Sequence, residues 1–164
     1  MAWKAQYQRT LRALKRVKRP KKFEDDHFDD LVHFFMDCWH LKDWIAGDDQ
    51  LPKATREAIV KAAEGNSLLQ TCAAIANNTK HFNPSRKGKQ VWILAPFEIS
   101  TSDPKTKEVF SSVTVPHSVS VKGEGTKYAA DLAADCVGEW KKILTANGLR
   151  VPTSLKYSGS ARSL

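Results

Sequence analysis

Residues 31–45 read LVHFFMDCWHLKDWI, and this stretch decides the fold class. Its apolar residues recur at spacings of three and four, which is typical of one side of an α-helix. Acids at 24–26 suit the positive end of a helix dipole and Gly47 suits a C-terminal stop, so we predict a helix over 24–46. Its main buried side consists of Leu31, Phe34, Phe35, Cys38 and Ile45.

Similar patterns predict more helices on either side of this one. Apolar spacing and Pro or Gly stops indicate helices over 3–18, 52–65, 67–82 and 128–146. Ser67 and Gln70 have the spacing of a capping box, which places a helix start at Ser67.

A β insert is expected before the last helix. Strand-like residues cover 91–99 and 108–115, a Pro-containing turn joins them at 102–105, and a third short strand is expected at 119–121. The sequence therefore predicts a mainly α protein. It would be a bundle of four to five helices with a short antiparallel β-hairpin or three-stranded insertion.

The expected organisation has three parts: a basic N-terminal helical arm over 1–22, a bundle domain over 23–150 with the β insert at 90–122, and a C-terminal tail over 151–164. No apolar run reaches the roughly 18 residues that span a bilayer, and the N-terminus lacks the apolar stretch of a secretory signal. Cys38, Cys72 and Cys136 form no CxxC pair. We therefore expect reduced core thiols in a cytoplasmic protein.

The positive charge is concentrated in the arm. The net charge is +8, yet residues 1–22 hold nine Lys or Arg and no acid, and the rest holds 17 basic and 18 acidic groups. The arm could bind nucleic acid through Arg12, Arg16 and Arg19, with Trp3 and Tyr7 stacking on bases. It could also lie on an anionic membrane, act as a transit peptide, or dock on the acidic strip over 24–37 of its own domain.

The second helix carries a polar stripe on the side away from its main buried face: His33, Asp37, His40 and Trp44, with Asp43 beside it. The stripe could line a cleft or a subunit contact. Two His and one Asp could ligate a metal, but the spacing matches no known helical signature. A hydrogen-bonded helix contact, with the imidazoles held by acids, is the preferred interpretation, and we expect no metal and no cofactor.

The fourth helix ends in a second polar group, Asn77-Asn78-Thr79-Lys80-His81, followed by a basic loop with Arg86, Lys87 and Lys89. A histidine beside several cations could bind a phosphate and move a proton. The alternative is a solvated helix end in which Lys80 and His81 complement the negative end of the dipole.

Residues 35–44, FMDCWHLKDW, and residues 77–81, NNTKH, resemble two blocks of a group of small bacterial proteins, and that group is similar in outline to the HEPN superfamily of helical bundles. HEPN domains are often metal-independent ribonucleases of toxin–antitoxin and phage-defence systems. They act as dimers with an Arg-polar-x-x-x-His motif from each subunit at the shared cleft. Asn77 matches the polar position and His81 the His, but Ala76 stands where the Arg should be, and Ala cannot hold a phosphate as Arg does.

The resemblance implies roles for these residues. His81 would move a proton at an RNA 2′-hydroxyl or leaving oxygen, Lys80, Arg86 and Lys87 would stabilise phosphate charge, and Asn77 would orient the substrate. The first functional hypothesis is therefore an RNA-directed, HEPN-like homodimer, a toxin or phage-defence component with weak or lost metal-independent ribonuclease activity. The second is a non-enzymatic interaction protein, a helical homodimer or an adaptor with a protein partner, whose contact is the stripe of His33, His40 and Trp44. The third is a metal-dependent hydrolase using His33, Asp37, His40 and His81.

Overall fold

The protein has a mainly α fold in which a small β insert precedes the last helix, so the predicted fold class is confirmed. The structure is a computed structural model that describes residues 1–19, 24–80, 89–102, 105–106 and 109–152. The helices are α1 (Ala2–Val17), α2 (Glu24–Ala46), α3 (Lys53–Glu64), α4 (Ser67–Lys80) and α5 (Ala129–Ala146). The strands are β1 (Val91–Leu94), β2 (Phe97–Ser102), β3 (Val109–Val115), β4 (Ser118–Val121) and β5 (Gly125–Tyr128). The tail beyond 152 lies outside the described residues.

The long helix α2 is the centre of the bundle and contacts α1, α3, α4 and α5. All five residues predicted for its main buried side are fully buried. Trp140 of α5 packs in the same core, and its Nε1–H donates to the backbone oxygen of Cys38 at 2.9 Å. Because this bond satisfies the polar atom of a buried indole, α5 is fixed against α2 by packing and by a hydrogen bond.

The basic segment forms α1, which shares the hydrophobic core of the other helices. Trp3, Tyr7, Ala13 and Val17 are all buried in that core. The expectation that Trp3 and Tyr7 are available for base stacking is therefore wrong. The apolar spacing that predicts the helix serves internal packing instead.

Polar contacts hold α1 antiparallel to α2. The Gln6 amide donates to the backbone oxygen and the carboxylate of Asp37 at 3.0 and 3.3 Å, and Arg16 Nε donates to Asp30 Oδ1 at 3.0 Å. Both acids belong to the strip that was expected to hold the arm. Of the alternatives for this segment, docking on its own domain is the one that the structure shows.

A distant residue caps the start of α1. The Asp48 carboxylate, only 4% exposed, accepts the Trp3 N–H at 3.2 Å and the Gln50 N–H at 3.2 Å. The N-cap residue Met1 makes no side-chain cap. Asp48 therefore satisfies a backbone donor that the helix itself leaves open, and its charge lies at the positive end of the dipole.

We expect Asp48→Ala to lower the free energy of unfolding by about 2 kcal/mol, because the substitution leaves a buried N–H without an acceptor. Urea unfolding measures the change. Asp49→Ala is the matched control, since the neighbouring carboxylate is 98% exposed and makes only a 3.5 Å ion pair with Arg56. An equal loss in both variants would show that Asp48 is not the cap.

The start of α4 is predicted correctly but for the wrong reason. The helix begins at Ser67, yet the capping side chain is Asn66, whose Oδ1 accepts the Leu69 N–H at 3.1 Å. Gln70, expected to reach back in a capping box, donates instead to the backbone oxygen of Glu64 at 2.7 Å. Asn and Ser are both good N-caps, so the sequence leaves the choice between neighbours open.

The β insert has more strands than predicted. The expected strand over 91–99 is two strands, because Pro96 has no N–H for the ladder and separates β1 from β2. β2 pairs with β3 as the predicted hairpin, whereas β1 pairs with β4, the expected third strand. β5 was missed, and it pairs with the other side of β4 to complete a sheet in the order β1-β4-β5.

The β1–β4 and β2–β3 pairs are aligned in the same register, as if they were parts of one longer antiparallel pair. Leu94 lies opposite Ser118 and Phe97 lies opposite Val115, so the same number of residues is skipped on each strand between them. The three-stranded sheet packs on α4 and α5. In the described part of the chain, the β2–β3 hairpin makes no substantial contact with another element, and Phe97 is 53% exposed. The hairpin therefore projects from the bundle.

Candidate nucleic-acid interface

The outer face of α1 carries basic residues, and two more follow the end of the helix at Lys18 and Arg19. Its buried residues occupy one side of the helix, so the Lys and Arg residues fall on the other. The exposed cations are Arg9, Arg12, Lys15, Lys18 and Arg19, and α1 itself contains no acid. A helix of this length spans about 24 Å. The sequence places the cations in one segment, and the docking of α1 places them on one surface, which we call the α1 basic face.

Most of this charge is uncompensated. Arg16 is paired with Asp30, and its side chain remains 42% exposed. Within the described residues, the side chains of Arg12, Lys15, Lys18 and Arg19 have no hydrogen-bond or ion-pair partner. Such cations attract phosphates at long range and exchange counterions for them on contact.

An exposed aromatic ring borders the α1 basic face. Trp44 of α2 is 40% exposed, and the Arg9 guanidinium lies 5.9 Å from its ring centre. His33 is exposed and His40 is half-buried on the same side of α2, as their helical spacing predicts. The structure therefore brings the predicted basic segment and part of the predicted stripe together, as docking on the acidic strip implies, because Asp37 belongs to both the strip and the stripe.

Other residues of the stripe have different surroundings. Asp37 forms a helix–helix hydrogen bond as expected, but its partner is Gln6 of α1. In the described ranges, neither His33 nor His40 is hydrogen-bonded to an acid, so that part of the interpretation is wrong. Asp43 is exposed and accepts a hydrogen bond from Lys42 at 2.9 Å.

A pair of histidines that sequence reasoning missed anchors the end of α1. His27 Nε2 lies 2.9 Å from the Val17 oxygen, and His27 Nδ1 lies 2.9 Å from His117 Nδ1. Because a carbonyl oxygen only accepts, His27 donates through Nε2, and in its neutral form it accepts the His117 N–H through Nδ1. The pair joins α1, α2 and the β insert. No spacing signal could find it, since the residues are 90 positions apart.

The predicted catalytic group is only partly described. Asn77 is exposed near the end of α4, Lys80 is the last residue of α4, and His81, Arg86 and Lys87 lie outside the described residues. Ala76 is 1% exposed. The position that would hold the Arg of the motif therefore faces the core, where a guanidinium would be buried.

Lys89 was expected to join this group, but it lies at the other end of α4. Its Nζ donates to the backbone oxygen of Ser67 at 2.9 Å and pairs with the Glu124 carboxylate at 2.9 Å. Ser67 and Lys80 are separated by the whole of α4, about 20 Å. Because Lys89 is already neutralised and distant from Lys80, it is not part of one phosphate site with that residue.

The three cysteines meet in the core, one from each of α2, α4 and α5. Cys72 Sγ lies 3.5 Å from Cys136 Sγ. The neighbouring thiols of Cys38 and Cys72 stabilise the Cys136 thiolate and lower the pKa of Cys136 to about 5. Burial raises the pKa of Cys38 and of Cys72 well above the ordinary value. Their reduced, buried state was predicted, but their contact was not.

Comparison with known proteins adds no relative. No protein-family model, no curated protein and no solved structure matches the chain. Within the described ranges, no group of three His, Cys, Asp or Glu side chains is placed to hold a metal ion.

Proposed function

We propose that the protein binds single-stranded RNA along the α1 basic face. The observation that carries the proposal is the docked α1 with the two residues after it, because Arg12, Lys15, Lys18 and Arg19 are exposed to solvent without a side-chain partner in the described chain. Nucleic-acid affinity comes largely from such cations, because each phosphate contact releases counterions.

The membrane alternative is weaker for the same segment. No helix in the described ranges has the length and apolarity to cross a membrane. A helix that lies in the membrane interface must insert its apolar face among the lipids. The apolar face of α1, with Trp3, Tyr7 and Val17, is buried in the protein core. Membrane binding would require α1 to leave the bundle.

The border of the face favours single strands over duplexes. Trp44 offers an exposed ring, and Arg9 beside it adds a cation that can stack. Unpaired bases stack on aromatic side chains, whereas bases within a duplex are covered by their neighbours. The HEPN-like resemblance is a second reason to propose RNA. It is also the source of the ribonuclease hypothesis, in which His81 and Asn77 act on the bound RNA.

The test is fluorescence anisotropy of a short labelled single-stranded RNA titrated with the full chain at several salt concentrations. If the four free cations each contact a phosphate, the slope of log K against log salt should be about −3. Duplex DNA of the same base sequence should bind more weakly than the single-stranded RNA. A flat salt dependence, or no binding at about 50 mM salt, would contradict the proposal.

The same samples report cleavage. The RNA is incubated with the protein in the presence of EDTA and then run on a denaturing gel. Cleavage by the wild type but not by His81→Ala would support the metal-independent ribonuclease. Intact RNA in every lane, with binding retained, would favour an RNA-binding module without catalysis. The homodimer and a protein partner stay predictions.

A further inference from the structure

All three cysteines of the chain lie in one place. Cys38, Cys72 and Cys136 belong to three different helices and are 0% exposed. Cys72 Sγ and Cys136 Sγ are 3.5 Å apart, and Cys136 Sγ also lies 3.7 Å from the Leu68 oxygen. Core packing alone needs only small apolar side chains at these positions, with no preference for sulfur atoms that touch.

The sulfur atoms of Cys72 and Cys136 are in van der Waals contact. A disulfide needs a separation of about 2.05 Å, so each sulfur would move by roughly 0.7 Å, which small side-chain rotations supply. One sulfur is also the better nucleophile, since the neighbouring thiols lower the pKa of Cys136 while burial raises that of Cys72. The attacking species in thiol oxidation is the thiolate.

We propose that Cys72 and Cys136 form a disulfide in the folded protein when a hydroperoxide reaches the core. The Cys136 thiolate attacks the O–O bond and becomes a sulfenic acid, while the departing oxygen takes a proton and leaves as water or an alcohol. The Cys72 sulfur then attacks the sulfenic sulfur, the S–O bond breaks, and a water leaves with the remaining proton. The two thiols are oxidised by two electrons, and the peroxide is reduced by two.

The position of the bond gives it a structural effect. It would join α4 to α5 and enclose the whole β insert in a covalent loop, since the insert lies between Cys72 and Cys136. Because the site is buried, only a small oxidant can enter through local opening of the bundle. A bulky aromatic disulfide reagent should therefore react much more slowly with the folded protein than with the protein in urea.

The experiment uses the reduced full chain treated with hydrogen peroxide under native conditions. We expect intact mass spectrometry to show the loss of two hydrogen atoms, and non-reducing digestion to map the link to Cys72 and Cys136. Cys38→Ser should keep the link, whereas Cys72→Ser should lose it and give a sulfenic acid at Cys136 that dimedone traps when the oxidised protein is unfolded in urea.

The disulfide linkage mapped in the wild-type protein tests the proposal even if one of the variants fails to fold. A link that contains Cys38, oxidation to sulfonic acid without a link, or a link that forms only in urea would each overturn the proposal. Circular dichroism of the treated wild type checks that the helices persist. Loss of helix before the link forms would also count against it, because the proposed reaction belongs to the folded state.

Discussion

The triple substitution Arg12→Gln, Lys15→Gln and Arg19→Gln is expected to weaken RNA binding about a hundredfold at about 0.1 M salt. The three side chains are exposed and lie on the α1 basic face. Each phosphate contact on a single strand contributes about 0.7 to the salt slope, which at this salt is about fivefold in affinity. Three lost contacts therefore multiply to about a hundredfold, and the slope should fall in magnitude by about 2.

The fold should tolerate this variant. Glutamine is nearly as good a helix former as Arg or Lys, and none of the three side chains has a partner in the described chain to lose. Circular dichroism and urea unfolding should therefore match the wild type within about 0.5 kcal/mol. A loss of binding with an unchanged unfolding curve separates the binding role from a structural one.

The matched control is Lys61→Gln, Lys122→Gln and Lys141→Gln. These lysines are also exposed, and they lie on α3, in the β4–β5 turn and on α5. Both variants lose the same net charge, so general attraction to RNA falls equally in the two. An equal loss of affinity would show that RNA responds to total charge alone, and the α1 basic face would then not be the binding site.

The helices could be predicted because each carries its signal locally. The apolar spacing in 31–45 is set by the helical repeat, and Pro52, Gly65 and Gly148 mark ends that the structure reproduces. β5 has no comparable signal. Its residues, Gly125 to Tyr128, are all exposed and lack an apolar alternation, so the strand exists only because β4 offers it an edge.

The candidate site was harder to predict, because its parts come together only in the folded chain. The sequence shows nine cations in one segment, but it does not show which face of that segment is buried against α2. Asp48 caps α1 from 45 residues away, and His117 reaches His27 across 90. Such pairs depend on the packing of whole helices, which local patterns do not contain.

The cysteines illustrate the same limit. Each of them could be predicted to be buried from its apolar neighbours, and each is. Their meeting point depends on the relative rotation of α2, α4 and α5, since a rotation of one helix by one residue position moves its sulfur about 100° around the axis. Burial is a property of one helix, whereas contact among three side chains is a property of the bundle.

The protein is also expected to lose much of its stability at alkaline pH. Burial raises the pKa of Cys38 and of Cys72 above the ordinary value of 9.0. Between that value and the raised pKa, the folded state keeps protons that the unfolded state has lost. The stability that these thiols contribute is therefore present below about pH 9 and falls as the pH rises, with a slope that approaches about 1.4 kcal/mol per pH unit for each thiol.

The combined contribution of the two thiols should steepen from about 1.4 kcal/mol per pH unit at pH 9 toward about 2.7 kcal/mol per pH unit near pH 10. Cys136 is deprotonated in the folded state and loses its last proton in the unfolded chain near the ordinary pKa of 9.0, so it opposes the decline only in the lower part of that window. The upper limit of the window avoids Tyr7, whose pKa is raised from 10.0 by burial and then by the charge of Cys38.

Urea unfolding of the reduced protein at a series of pH values measures this slope, and the double variant Cys38→Ala and Cys72→Ala supplies the comparison. The variant should be less stable at pH 7, since it leaves small cavities in the core. Its stability should nevertheless decline less steeply above pH 9, because Cys136 is then the one buried thiol left, in place of two thiols with raised pKa values. Equal slopes in the two proteins would mean that Cys38 and Cys72 ionise in the fold as readily as in the unfolded chain. The core around them would then have to admit water, and the oxidation chemistry proposed for Cys72 and Cys136 would no longer depend on local opening of the bundle.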